Sequence, residues 1–275
     1  MIDPKQPDLL SKIGKPVASL LSRILMTGSL AKVIRLSESY LAFVQGKGAG
    51  TGWDIQGEAS IAALHVHRPD AIIFDVGAHH GKWSQQILEA LGPTNRCRIY
   101  QFEPLPLNQT KVRSLNLPRT TLVEAAVSDK SGIGTIYTPD AWSPVASLHW
   151  RRDSYLQQYR FTEEKIKVVT IDEVMDDFKI EFVDFMKLDV EGNELAALQG
   201  SRESLRSKRI KALTFEFGSG NINSRTYFHD FWDQLHACGY VIKRICPGGV
   251  LFPIKEYYED LEYFRGVTNY LAVLP

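Results

Sequence analysis

With 275 residues, 44% of them hydrophobic and 23% charged, the chain is long enough to bury a sizeable core in one large domain with an extension. Lys and Arg total 32 and Asp and Glu total 32, so no overall field draws it to nucleic acid or an anionic membrane. The three cysteines, Cys97, Cys238 and Cys246, are odd in number and lack ligand spacing, which argues against a disulfide framework or zinc site and makes a reducing cytoplasm the expected compartment.

Residues 1–65 read as a helical N-terminal extension preceding a domain over residues 66–275. Ala18 to Met26 and Leu30 to Gln45 carry apolar residues at helical spacing, and GKGAGTG begins at Gly46. The extension is expected to pack on the sheet, cover the active site or pair subunits into a homo-oligomer. Lys15, Pro16 and Arg23 flank or interrupt the apolar stretch Val17 to Met26. Neither a cleavable leader nor a span of ~20 apolar residues is therefore expected. Trp53 to Leu64 reads as a further helix.

Ala71 to Gly81, AIIFDVGAHHG, organises the remainder of the chain. Its apolar run without alternation predicts a strand buried on both faces. The glycine loop then leads into a helix over Lys82 to Ala90, whose first turn offers free N–H groups. The spacing fails G-x-G-x-x-G, because His79 and Lys82 occupy the other glycine positions counted from Gly77, so a diphosphate is a poor fit. D-x-G-x-x-x-G, with Asp75 at its head, suits a ligand bearing an amino acid or ribose, such as S-adenosylmethionine (SAM).

Arg98 to Pro104 predicts a second strand ending in Glu103, which stands 26 residues after Gly77, near where an acid meets ribose hydroxyls. Thr120 to Val127 reads as a third strand, whose small Ala125 and Ala126 admit either a flat adenine or a cramped core. Gly134 to Thr138 is a short extra strand. Pro139 to Phe161, with Trp142, His149, Trp150 and several arginines, reads as an insertion shaping a substrate pocket. Lys167 to Ile171 is a short strand, leading to a helix capped by Thr170 or Asp172. Phe182 to Val190 is a buried strand running into Asp189, Glu191, Gly192 and Glu194, a concentration of charge that demands partners. Ile210 to Phe217 carries Glu216. A helix over Tyr227 to Cys238, a strand over Tyr240 to Ile245, a loop from Pro247 to Phe264 and a strand over Asn269 to Leu274 complete the chain. Alternating strands and helices predict an α/β sheet, mainly parallel, with ligands outside the strands' carboxyl ends.

In this order DVGAHHGKWS, FEP, AAVSDKSG, VVTIDEVM, MKLDVEGNE and FEF resemble the FkbM family of SAM-dependent methyltransferases. The resemblance covers roughly Ala71 onward. It implies a Rossmann-like class I methyltransferase sheet of seven strands, the last antiparallel, and O-methylation of a hydroxyl on a sugar, glycolipid, polysaccharide or natural product. Carried over by position, Asp75, Gly77, His79 and Gly81 form the SAM loop, with Ser84 behind it and Glu103 on the ribose. Ala126 and Ser128 lie near adenine, and Asp189, Glu191 and Gly192 near the methyl group. The base that takes the acceptor proton is sought among Asp189, Glu191, Glu216 and His149, with Asp189 first. Asp189 and Glu216, with Asn221 or Asn223, form an alternative Mg²⁺ site. A catalytically silent binding protein and a nicotinamide-dependent oxidoreductase are the rival readings.

Overall fold

The computed structural model describes residues 8–50, 55–139 and 143–275. Its centre is β1 (Ile72–Val76), all five residues of which are buried, as a doubly covered strand requires. Parallel neighbours extend the sheet both ways. On one side lie β2 (Arg98–Phe102) and β3 (Thr120–Val123). On the other lie β7 (Phe185–Leu188) and β8 (Ala212–Gly218). Beyond β8 the expected antiparallel last strand, β11 (Val267–Val273), pairs with β8 and with β9 (Val241–Cys246). The sheet has eight strands, one more than expected, because β10 (Val250–Ile254) adds antiparallel to β9. It falls in the stretch read as a loop. Pro253 sits inside it, and an edge strand tolerates the missing N–H.

The third strand ends earlier than its apolar run suggests. Ala125 N–H donates to Val123 O at 2.9 Å, and the resulting turn carries the chain away from β2. β4 (Ala126–Val127) joins a second, three-stranded sheet with β6 (Phe161–Val169) and β5 (Gly132–Pro139). β6 begins six residues before the predicted Lys167 because its first half, FTEEK, is mostly exposed and carries no apolar signal.

Side chains alternate across the main sheet, as the two-residue period of a strand dictates. Ile73, Ile99 and Phe185 face one layer with Trp83 and Ile87 of α4 (Lys82–Leu91) and Ala59 and Ala62 of α3 (Ile55–Ala63). Phe74, Met186 and Phe215 face the other with Phe228 and Phe231 of the helix Phe228–Ala237. α3 falls within residues 1–65 yet belongs to this core. α1 (Asp8–Leu25) and α2 (Gly28–Val44) form where the periodicity lies, α1 starting ten residues before Ala18; among their described side chains most are exposed, and Ala42 is the buried residue of α2.

Phe215 stacks on Phe231 at 5.0 Å and Tyr270 at 5.4 Å between ring centroids. Phe215→Ala is expected to lower the unfolding free energy by about 3–5 kcal/mol, read as a shift of the urea midpoint.

Candidate active site

Chain order runs outward from β1 to β3 and then returns to β7, so β1 and β7 separate two halves of the parallel sheet. A crevice opens at their carboxyl ends, where such sheets bind ligands. Gly77 and Ala78 N–H both donate to Phe102 O, at 3.2 and 3.0 Å, holding the loop after β1 against β2. On the other side the loop meets β7. A Cβ on Gly77, whose φ is 84°, would lie 1.8 Å from Asp189 O, so the position admits glycine alone.

Lys187 of β7 reinforces that junction from below. Its buried ammonium lies 3.1 Å from Asp189 Oδ2 and 3.5 Å from Asp75 Oδ1, and donates to Gly77 O at 3.3 Å. Burial acts to lower the Lys187 pKa, but Asp189, Asp75 and Glu58 more than offset it and hold the group above the usual lysine value. Asp75 is fully buried and accepts a 2.6 Å hydrogen bond from Ser84 Oγ. Asp75 and Ser84, expected to touch the cofactor, instead brace the loop from beneath.

Glu103 is where the sequence puts it, at the end of β2 facing the loop. It accepts from His79 N–H at 2.9 Å, Leu105 N–H at 2.9 Å and Asn108 Nδ2 at 3.3 Å. Burial raises its pKa to about 7 against the pull of these donors. His79 stacks on His80 with ring centroids 3.7 Å apart. Burial, then His80, lowers the His79 pKa to about 4, so the ring is neutral at pH 7.

The crevice is a cavity of about 440 Å³. One side combines Gly77, His79 and Glu103 with the small or apolar Leu105, Ala125 and Ala126. The other is acidic, with Asp189, Glu191, Glu216 and Glu58 around Lys187 and Arg151. Burial first, then Asp189, Glu191, Glu194 and Glu58, raises the Glu216 pKa well above the usual carboxylate range. The buried Trp83 also lines the cavity, and its Nε1 has no hydrogen-bond partner among the described residues.

Several expected contacts lie elsewhere. Gly81, Ser128 and Gly192 are not on the cavity wall. Gly81 abuts Leu115, and Gly192 packs its backbone on Gly220. Ser128 hydrogen-bonds through its N–H to Val169 O at 3.0 Å, in the small sheet. Glu194 is taken up by structure, accepting from the N–H groups of Val190 at 2.9 Å and Gly192 at 3.0 Å. His149 also stays off the wall, its Nε2 3.1 Å from Asn193 Oδ1.

Trp150 packs edge-on against Tyr137 at 5.3 Å and beside Phe161 at 5.1 Å, so the insertion lines the cavity with Pro144 to Leu148, Arg151 and Tyr155 instead. Trp142 and Trp53 lie outside the described residues. Asn221 and Asn223 are engaged by Gly218 N–H at 2.8 Å and by Asp153 at 3.0 Å. Among the described residues no group of three or more His, Cys, Asp or Glu converges to hold a metal ion.

Three cavity residues escape sequence reasoning. Lys187 sits inside an apolar strand pattern, and Glu58 comes from the N-terminal segment. Arg151, 1% exposed at its side chain, pairs with Glu191, donates to Asp153 at 2.7 Å and reaches Tyr155 Oη at 2.9 Å and Ser219 Oγ at 3.2 Å. The signal for it is the unpaired acidity after β7, which requires a cation from some other segment.

Glu58, like Glu103, has a pKa of about 7, raised mainly by burial and opposed by Lys187. The folded chain therefore binds more protons than the unfolded one between about pH 4.5 and 7, and this contribution to stability is lost as pH rises through that window. Glu58→Gln is expected to flatten the decline by about 1 kcal/mol or more, measured as urea stability at pH 5 and pH 8.

Residues 75–242, more than half of the chain, match the methyltransferase FkbM domain model. The 2-O-methyltransferase NoeI of Sinorhizobium fredii (strain NBRC 101917 / NGR234) is 26% identical in an alignment over 169 residues that covers 54% of this chain and 68% of that protein. The methyltransferase FkbM structure from Methylobacillus flagellatus KT aligns at 15% identity and a TM-score of 0.46, over 88% of this chain and 60% of that one. The chain thus spans less than two thirds of the Methylobacillus protein. Aeropyrum pernix fibrillarin, solved with natively bound S-adenosyl-L-methionine, aligns at 15% identity and a TM-score of 0.41, over 78% of this chain and 74% of its own. The match from Asp75 onward, which takes in the Gly77 loop, Glu103 and the whole acidic end of β7, makes this chain a member of the methyltransferase FkbM domain family.

Proposed function

We propose that the protein is a SAM-dependent O-methyltransferase acting on a hydroxyl of a sugar, glycolipid, polysaccharide or natural-product acceptor. The observation that carries this reading is the two-sided cavity at the β1–β7 junction. Its Glu103 side suits a nucleoside. Its acidic side, four carboxylates against two cations, suits a ligand with positive charge. The residues fit SAM on both counts, since that molecule joins adenosine to a sulfonium and an amino acid.

Glu103 would accept from a ribose hydroxyl, because an ionised carboxylate has about four acceptor sites and three donors use it here, leaving one. Ala125 and Ala126 leave room for the adenine beside Leu105. Asp189, 39% exposed at its side chain, would accept from the ammonium. When bound, SAM supplies a methyl group activated by its sulfonium. The protein's part is alignment and exclusion of water. Arg151 fixes the roof of the cavity by tying the insertion to Glu191 and Ser219.

The acceptor hydroxyl must also lose a proton, and Glu216 takes the role first expected of Asp189. Asp189 already faces Lys187 at 3.1 Å, whereas Glu216 lines the cavity near the end of β8, where burial and then the neighbouring acids raise its affinity for a proton. Glu191, paired with Arg151, is left to position the roof.

Isothermal titration calorimetry with SAM and with NAD tests the cofactor. Binding of SAM and not NAD is expected; the reverse would overturn the reading. In a methyl-uptake assay on hydroxylated sugars and glycolipids, Glu216→Gln is expected to lower kcat by ~10²-fold or more with SAM affinity little changed. Asp189→Asn should instead weaken SAM binding by roughly tenfold, about the value of one charged hydrogen bond. Full turnover in Glu216→Gln would remove the proposed base.

A further inference from the structure

α1 and α2 wear their apolar residues on the outside. In α1 the stripe Val17, Leu20, Leu21 and Ile24 has the i, i+3, i+4, i+7 spacing of one helix face, and these side chains are 44–60% exposed. In α2 the stripe Val33, Leu36, Tyr40 and Val44 is 53–68% exposed. The opposite side of α2 meets the body of the protein, through buried Ala42 and a Glu38–Arg265 ion pair. α2 thus rests on the protein through a narrow side of small or partly buried residues, Ala31, Ile34 and Ala42, and leaves its larger apolar stripe facing away. Exposed hydrophobic surface on this scale, carried by two successive helices, marks an interaction site.

Charge identifies what covers it. The whole chain is neutral, yet residues 8–44 carry five cations, Lys12, Lys15, Arg23, Lys32 and Arg35, against Asp8 and Glu38, and Glu38 is already paired with Arg265. Lys32 and Arg35 stand directly beside Val33 and Leu36 in sequence. A second copy of the same helices would bring like charges together in a dry interface, which is costly. A bilayer surface accepts both features, taking the apolar stripe among its acyl chains while long basic side chains reach back to headgroups. Among the described residues no single helix is long and apolar enough to cross a membrane; Val17–Leu25 and Gly28–Val44 reach that length and composition only together, as a pair bent by 112°.

From these observations we infer that α1 and α2 form an interfacial anchor that docks the protein on a membrane surface rich in anionic lipid. The inference is independent of the cavity's chemistry. It does place the catalytic domain at that surface, since α2 ends six residues before Gly50, which lines the cavity.

Flotation of the full chain with phosphatidylcholine vesicles, with and without phosphatidylglycerol, tests it. Binding to the anionic vesicles is expected to be roughly tenfold or more tighter than to the neutral ones and to weaken as salt is raised. The double variant Leu20→Glu, Leu36→Glu, both sites lying outside the cavity and the core, should lose flotation and keep the parent's thermal unfolding midpoint. Failure of the parent to float with anionic vesicles, or flotation of the double variant equal to the parent's, would overturn the proposal. So would a lipid-free dimer that the double variant dissociates while the parent shows no vesicle binding.

Discussion

The crevice of the candidate active site depends on one close approach, the backbone of Gly77 against the carbonyl of Asp189. The two residues belong to loops that leave neighbouring parallel strands, and a single added carbon would sit 1.8 Å from the carbonyl oxygen. Lys187 secures the same junction electrostatically, reaching Asp75, Asp189 and Gly77 O from the adjacent strand. Buried charges are tolerated only when paired. Asp75 and Lys187, both almost inaccessible, satisfy that condition through each other and through Ser84. Everything on the cavity wall is placed relative to this clasp: Glu103 through the loop's N–H groups, and Asp189 and Glu191 through the end of β7.

The electrostatics of the wall are a consequence of its burial. Carboxylates outnumber cations there, and Glu58, Glu103 and Glu216 all have raised pKa values for which burial is the largest cause. Such a site favours a ligand of positive charge, and it raises the proton affinity of its acids. The energetic cost of assembling these acids is the physical reason to read the crevice as a binding site. A tight turn between strand and helix alone would not require them.

The central sheet is legible in the sequence because β1, β2 and β7 are covered on both faces and therefore appear as mainly apolar runs, interrupted by Asp75, Arg98, Gln101 and Lys187. β10 is not, since Pro253 argues against a strand unless its edge position is known, and neither is the polar first half of β6. Glu103 can be placed by its distance from Gly77, because both sit at fixed points of a strand–loop–helix–strand unit. Spacing misassigns Asp75 to ligand contact for a related reason: it locates a residue at a strand end without revealing which side of the loop its carboxylate faces. Arg151 and Lys187 stay hidden because their partners are distant in sequence. The two N-terminal helices are readable from their apolar period. The period shows that a stripe exists, and only the structure shows that it turns away from the domain.

Because the clasp at Gly77 both orders the loop and positions Asp189, its integrity is the most direct test of the whole account. The measurement is the dissociation constant of radiolabelled SAM, by equilibrium dialysis, for the parent chain and for Gly77→Ala with its fold verified by circular dichroism. A methyl group at this point must drive the loop from β7, so the account predicts affinity weakened by at least roughly tenfold, as expected when a ligand's polar contacts are misplaced. A folded Gly77→Ala protein that binds SAM as tightly as the parent would contradict it.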